Sequence, residues 1–297
     1  MNPHDIAGII PPLVTPFDSQ GRLLEQVHRA EVRFMVETAR VHGLAVAGST
    51  GEGHALSTEE VRRLAGWTVE EAGGRVPVIA GIIADSTQAA VERAMAVADV
   101  GVAALQVTPV HYLFRPDDDG MLEFFAAITR ATGIPVIVYN VVPWSYLLPP
   151  LLARILREVE GVMGVKQSAS DMKALADLLL LVEEGAAGPN KRILSAVDAL
   201  LYPSFLLGAH GAVAAILTAA PEWCVELWDA VQRGDHAQAL QLHRNLLRLW
   251  NAIHDDNLPA NVKTVMELCG RPGGLPRPPM PVSSPAQVRK IRDALFL

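Results

Sequence analysis

The stretch Ile134-Pro-Val-Ile-Val-Tyr-Asn-Val-Val-Pro-Trp-Ser-Tyr-Leu-Leu-Pro-Pro-Leu-Leu-Ala-Arg-Ile-Leu-Arg-Glu-Val-Glu-Gly-Val-Met-Gly-Val-Lys166 decides the fold. It opens on an apolar, largely β-branched run, Ile134–Tyr139, and continues as an amphipathic segment, Leu147–Val159. It stops at Gly161 before a second apolar run, Val162–Val165. Continuous β-branched runs are the mark of strands buried on both faces, while the middle segment has the spacing of a helix. Gly161 stands where a helix would end in a left-handed residue. The stretch therefore reads as strand, helix, strand.

The same unit recurs in both directions. Further strand-like runs are Gly8–Val14, Gly43–Ala47, Val76–Ile82, Ala103–Val107, Arg192–Ser195 and Gly211–Ile216. Amphipathic segments Leu24–His42, Thr58–Ala72, Ser86–Val100, Asp117–Thr132 and Asp171–Val182 lie between them, with Val32, Met35, Val36, Ala39 and Val41 near helical spacing. Ser57-Thr58-Glu59-Glu60, Asp85-Ser86 and Ser170-Asp171 read as helix starts, and Gly43, Gly73-Gly74, Gly101 and Gly133 as stops. Eight such repeats predict a (β/α)8 barrel over residues 1–220. From Pro221 the pattern is helical only, at Pro221–Gln232, His236–His254, Pro259–Leu268 and Ser284–Phe296, with Arg271–Pro285 a rigid, proline-rich connection. Residues 221–297 are expected to form a helical subdomain packed on the barrel.

Composition narrows the function. Half of the 297 residues are hydrophobic, 19% are charged and the mean hydropathy is +0.24, which points to a large core or to apolar surface buried between subunits. A net charge of −7 without a basic run argues against nucleic acid. Cys224 and Cys269 cannot make a disulfide framework, and neither a leader pattern nor a membrane-spanning run is evident, so a soluble cytoplasmic protein is expected.

In a barrel of this type chemistry lies at the carboxyl ends of the strands. Lys166 ends the sixth run. The chain has five lysines against twenty arginines, and Lys173, Lys191, Lys263 and Lys290 sit in polar or amphipathic surroundings. Desolvation drives a buried amine toward its neutral, nucleophilic form, able to condense with a carbonyl; the alternative is a surface lysine closing a strand. Gly48-Ser-Thr-Gly-Glu-Gly53 places the Ser49 and Thr50 hydroxyls among flexible backbone before the helix at Thr58. That is either a cradle for an anion, a carboxylate since no Lys or Arg is near in sequence, or simply a glycine-rich turn. Tyr139 would shuttle protons beside a lysine amine, or be an ordinary core tyrosine. His111 and Tyr112 follow the fourth run and Asp198 the seventh. No histidine spacing suits a metal, Asp117-Asp-Asp119 reads as a helix start, and no nucleophile elbow occurs.

Together these motifs resemble the dihydrodipicolinate synthase/N-acetylneuraminate lyase family of class I, pyruvate-handling barrel enzymes. The resemblance rests on Gly8-Ile-Ile-Pro-Pro-Leu-Val-Thr-Pro-Phe17, Gly48-Ser-Thr-Gly-Glu52, Val107-Thr-Pro109, Tyr139-Asn140, Gly164-Val-Lys166, Gly208-Ala-His-Gly211 and Leu258-Pro-Ala-Asn-Val-Lys263. It implies that Lys166 forms a Schiff base with pyruvate or another 2-keto acid, with no cofactor beyond that imine. It implies that Tyr139 relays protons, that Ser49 and Thr50 hold the carboxylate, and that the backbone of Val213 contacts pyruvate. Members are usually tetramers built from dimers, and a second tyrosine, lent across the dimer interface, aligns with His111, with Tyr112 beside it.

Departures bear on the substrate. Synthases of this family carry an arginine shortly after the tyrosine; Tyr139-Asn-Val-Val-Pro-Trp-Ser-Tyr146 has none, which counts against aspartate semialdehyde. Sialic-acid lyases carry an acidic pair where Asp198 is followed by Ala199, so the polyol contact is halved. Trp144, Leu147 and Leu148 hint at an apolar pocket rim. The expectation is a Schiff-base lyase that cleaves or forms a C–C bond of a 2-keto acid. The alternatives are a dehydratase or deaminase using the same imine, a dihydrodipicolinate synthase proper, and a non-catalytic keto-acid sensor.

Overall fold

The structure, a computed structural model, describes residues 6–168 and 171–295, so the helix start expected at Ser170 and the helix end at Phe296 lie outside the described residues. Eight parallel strands make one sheet: β1 (Gly8–Ile9), β2 (Leu44–Val46), β3 (Val78–Ile82), β4 (Ala104–Val107), β5 (Val136–Asn140), β6 (Val162–Gln167), β7 (Arg192–Ser195) and β8 (Gly211–Ala212). Their spatial order is β1-β8-β7-β6-β5-β4-β3-β2, and a parallel bridge between Pro12 and Ala45 joins the first strand to the second. The fold is the expected α/β barrel.

Eight helices follow the strands: α1 (Glu25–Arg33), α2 (Thr58–Ala72), α3 (Thr87–Met95), α4 (Asp118–Thr132), α5 (Pro149–Glu158), α6 (Met172–Glu183), α7 (Leu201–Leu206) and α8 (Ile216–Ala219). Four more complete the described chain: α9 (Pro221–Gln232), α10 (His236–Ile253), α11 (Leu258–Leu268) and α12 (Pro285–Leu295). Local chemistry sets their ends. Ser57 and Glu60 form a reciprocal capping box on α2. Asp117 accepts from Gly120 N at 2.8 Å and Asp171 from Lys173 N at 2.9 Å. No helix among the described residues is long and apolar enough to cross a membrane.

Among the boundaries that differ from expectation, four are instructive. The run at Gly8 ends as a strand at Ile9, because Pro11 and Pro12 have no N–H for the ladder and leave one isolated bridge. The run at Gly211 turns helical at Ile216, whose N–H is taken by the Asp198 carboxylate at 2.8 Å. The segment after Leu24 widens into a π-helical turn at Phe34–Thr38, where Ala39 N donates five residues back to Phe34 O. Lys166 lies inside β6 rather than after it.

Two apolar clusters hold the molecule. Ile6, Ile10, Ala45, Ile79, Ala104, Ile137, Met163, Leu194 and Val213 make the smaller, inner one. A larger cluster, which includes Val46, Leu105, Val138 and Val165, packs the sheet against the helices. The segment after α11 is tied to the barrel by Arg271, which donates to Glu31 of α1 at 2.7 Å and to the carbonyls of Thr218 and Ala219.

Candidate active site

β5 and β6 pair with Tyr139 opposite Lys166. Lys166 is 4% exposed, and its Nζ stands 3.8 Å from the centre of the Tyr139 ring. The amine is thus held against an aromatic face, where a cation is attracted by the ring quadrupole. The Tyr139 hydroxyl donates to Ser49 Oγ at 2.9 Å. Three side chains that are 27 to 117 residues apart in sequence meet in one chain of contacts, amine, phenol and hydroxyl.

The turn that presents Ser49 is fixed on every side. Glu52 N donates to Ser49 O, Gly53 N to Gly48 O, and Thr15 Oγ1 to Gly51 O. Ala47 and Glu52, at either end, take left-handed backbone with φ of 55° and 54°, a conformation non-glycine residues hold only when their surroundings impose it. A β-carbon on Gly53 would lie 1.9 Å from Ala47 O, so only glycine fits there. Glu52 is 1% exposed; its Oε1 accepts from Lys263 Nζ at 2.7 Å and its Oε2 from Arg277 N at 2.8 Å. Lys263 also donates to Leu275 O.

Lys263, expected in polar or amphipathic surroundings, is buried on α11: it is 2% exposed, and desolvation pulls its amine below the ordinary lysine range against the opposing pull of Glu52. The start of α2 has two of its amides taken up within the chain. Its capping box satisfies the Ser57 and Glu60 amides, and Arg277 pairs with Glu60. The open donors belong to the turn itself: among the described residues no acceptor is bonded to the Ser49 or Thr50 N–H.

Val213 is buried, and its N–H is spent on Ser195 O at 2.8 Å, which leaves its carbonyl as the group available to a ligand. Asp198 caps Ile216, and desolvation raises its carboxyl to about 6 although the Ile216 N–H and Lys166 pull the other way. That link to Lys166 puts Asp198 within electrostatic reach of the amine.

His111 and Tyr112 are not brought to Lys166 within the chain. Their backbone amides both donate to Asp85 Oδ1, and His111 Nδ1 contacts Pro109 O at 3.0 Å. Tyr112 is 70% exposed, beside exposed Leu113, Phe114, Trp144 and Leu148. Trp144 Nε1 donates to His111 O and Ser145 Oγ to Val110 O, so the loops after β4 and β5 are laced together. Leu147, expected at the rim, is buried instead, its N–H held by Asn140 Oδ1.

Three polar residues near the strand ends were not singled out in the sequence. Gln106 has both carboxamide atoms buried without a partner among the described residues, and so does the hydroxyl of Thr108 and that of Ser168. The signal for Gln106 was available: like Lys166, it interrupts an apolar run. Among the described residues no group of three or more His, Cys, Asp or Glu could hold a metal ion.

Comparison with known proteins bears on the chain as a whole. The sequence profile of the dihydrodipicolinate synthetase family matches residues 5–295. A 4-hydroxy-tetrahydrodipicolinate synthase of Bradyrhizobium diazoefficiens is 36% identical over 95% of this chain and 93% of its own. A putative dihydrodipicolinate synthetase from Pseudomonas aeruginosa has a similar structure, with a TM-score of 0.90 at 29% identity over 98% of each chain. So has a prophage protein of the dihydrodipicolinic acid synthase family from E. coli K12, solved in complex with pyruvate. Its TM-score is 0.91 at 25% identity, over 98% of this chain and 99% of that one.

Proposed function

Because the chain belongs to the dihydrodipicolinate synthetase family, a family of lyase-type enzymes, we propose that it is a Schiff-base lyase that cleaves or forms a C–C bond of a 2-keto acid, releasing or consuming pyruvate. The observation that carries this reading is the contact chain Lys166–Tyr139–Ser49, with Nζ 3.8 Å from the ring and the phenol bonded to the hydroxyl.

In the cleavage direction the Lys166 amine adds to the keto carbon, and the carbinolamine loses water to give a protonated imine. Removing the proton from the C4 hydroxyl lets the C3–C4 bond break; its electrons pass to the imine nitrogen, and an aldehyde leaves. Protonation at C3 and hydrolysis of the imine then release pyruvate. The imine is the electron sink, so no separate cofactor is required. Tyr139, with Ser49 as its partner, carries the protons. The Ser49 and Thr50 amides hold the carboxylate, which needs donors rather than a cation, and the Val213 carbonyl faces the keto-acid end. Asp198 contacts a substrate hydroxyl. His111 or Tyr112 would complete the relay from a second subunit, in a homotetramer of the cytoplasm.

The relatives' name favours a second reading, condensation of pyruvate with aspartate semialdehyde. The segment Tyr139–Tyr146 offers no arginine for that substrate's carboxylate and presents Trp144 instead, which is why lyase activity on another 2-keto acid stands first. Borohydride reduction with pyruvate should leave one adduct, on Lys166, and none in Lys166→Ala. Tyr139→Phe should fold normally and turn over roughly 10²- to 10⁴-fold more slowly. An adduct on another lysine, or turnover by Lys166→Ala, would sink the reading. Consumption of aspartate semialdehyde with pyruvate would move the assignment to the synthase, and loss of water from an intact carbon skeleton would move it to a dehydratase.

A further inference from the structure

The inner positions flanking Gln106 below and to either side are apolar or glycine: Ala104 two residues before it, Ile137 beside it on β5 and Gly81 beside it on β3. A carboxamide there is out of place. It is 1% exposed, and neither Oε1 nor Nε2 meets a partner among the described residues. Burial without a partner forfeits the hydration of both ends, so the working molecule must supply one.

The position of the side chain says which. Gly81 lets the Ala47–Gly48 backbone lie directly over β3, where a β-carbon would be 2.3 Å from Ala47 O, and Nε2 of Gln106 comes to rest against Gly48; a β-carbon on Gly48 would be 2.7 Å from it. Gly48 opens the turn whose Ser49 and Thr50 amides have no acceptor among the described residues. Thr108, two residues further along and one register step beyond the Val107–Val138 pair, is buried with its hydroxyl unpartnered as well. Lys263 and Arg277, which flank the turn through Glu52 and Glu60, are spent on those carboxylates. An anion seated here is therefore held by neutral donors, and each one matters.

We propose that Gln106 is the floor of the carboxylate subsite, its Nε2–H donating to the carboxylate of the bound 2-keto acid alongside the Ser49 and Thr50 amides. This rests on the reading of the turn given under Proposed function. It adds a specificity residue: a glutamine that pulls the acid head of the substrate down into the barrel and fixes the distance from carboxylate to Lys166.

The test is a calorimetric titration of pyruvate into wild type, Gln106→Leu and Gln106→Glu, with thermal unfolding of each and borohydride trapping of the wild type. Gln106→Leu should weaken binding roughly ten- to a hundredfold, the loss of one hydrogen bond to a charged group, while its Tm stays level or rises, because an unpartnered buried carboxamide has been removed. Gln106→Glu, close in shape, should bind worse than Gln106→Leu at pH 8 and recover as the pH falls and the new carboxyl is protonated. It serves even where the leucine variant does not fold. Binding of Gln106→Leu within twofold of wild type overturns the proposal, and so does a lowered Tm with unchanged binding, which would make the carboxamide a structural one. Pyruvate that binds the wild type without a reducible adduct sinks the Schiff-base reading, yet the affinity ratio still judges Gln106. Failure of pyruvate to bind the wild type overturns both.

Discussion

The turn between β2 and α2 and the loops after β4 and β5 follow carboxyl ends of strands in one barrel, yet they are built in opposite ways. The turn is buried at Thr50, Gly51, Glu52 and Gly53, held by left-handed residues at each end, and pinned by an ion pair in which both partners are shielded from water. The loops carry Tyr112, Leu113, Phe114 and Trp144, the last 74% exposed, and are joined by two hydrogen bonds. Under the proposed imine chemistry a carboxylate and a keto carbon are common to every substrate, so the part that would read them has no need to vary. The remainder of the substrate, and any neighbouring subunit, must be met by the loops. On that reading, rigidity is placed where substrates would be alike and apolar surface where they would differ.

Breaking the closed side should have the largest effect. Lys263→Met leaves the Glu52 carboxylate buried without its charge partner and should lower the free energy of unfolding by about 3–5 kcal/mol in a denaturant titration, with Glu52→Gln added in the same chain restoring most of it. A loss below about 1 kcal/mol would mean that the turn is held by its backbone contacts alone.

Asp198, at the end of another strand, sharpens the contrast, since its carboxylate is desolvated at a cost. Its carboxyl is raised from 3.8 to about 6 by desolvation, against the pull of the Ile216 N–H and Lys166. The folded state therefore holds the proton more tightly than the unfolded chain. Stability falls as the pH climbs from about 4 to about 6, and the deficit persists above. Asp198→Asn should gain about 2 kcal/mol at pH 8 and almost nothing at pH 3.5, read from unfolding at the two pH values. An equal gain at both would assign the effect to packing.

The smallest change belongs to the open side. Trp144→Phe removes the Nε1 bond to His111 O and should alter unfolding by less than about 0.5 kcal/mol, as for exposed substitutions generally. A loss above about 2 kcal/mol would show the loops to be as fixed as the turn, and the contrast would fall.

The barrel was legible because strands buried on both faces write continuous apolar runs, and glycine and Ser/Asp caps punctuate the helices between them. Lys166 was legible for the same reason: a charge at the end of such a run stands out. Gln106 interrupts a run in the same manner, but a neutral amide draws less notice than an ammonium. Lys263 was hidden because α11 is amphipathic, so a lysine looks natural there, and because its partner is 211 residues away. Proximity in sequence was the wrong guide to the charge around Glu52. The strand that fails at Pro11 shows a second limit, since an apolar run does not say whether its amides can reach a ladder. His111 and Tyr112 were left undivided by the sequence, and within one chain neither reaches the amine.

The Glu52–Lys263 pair sets an order of events. Glu52 is joined to residues 211 and 225 positions later in the chain, Lys263 and Arg277. A ribosome that has produced β1 to β6 has already made Lys166, Tyr139 and Ser49, but not the groups that seat Glu52. Contacts across so long a separation close late, after the local helices and neighbouring strands have formed. The turn that presents Ser49 is thus set only when α11 and the segment behind it have arrived, and the Lys166 amine exists in every nascent chain well before that turn is finished.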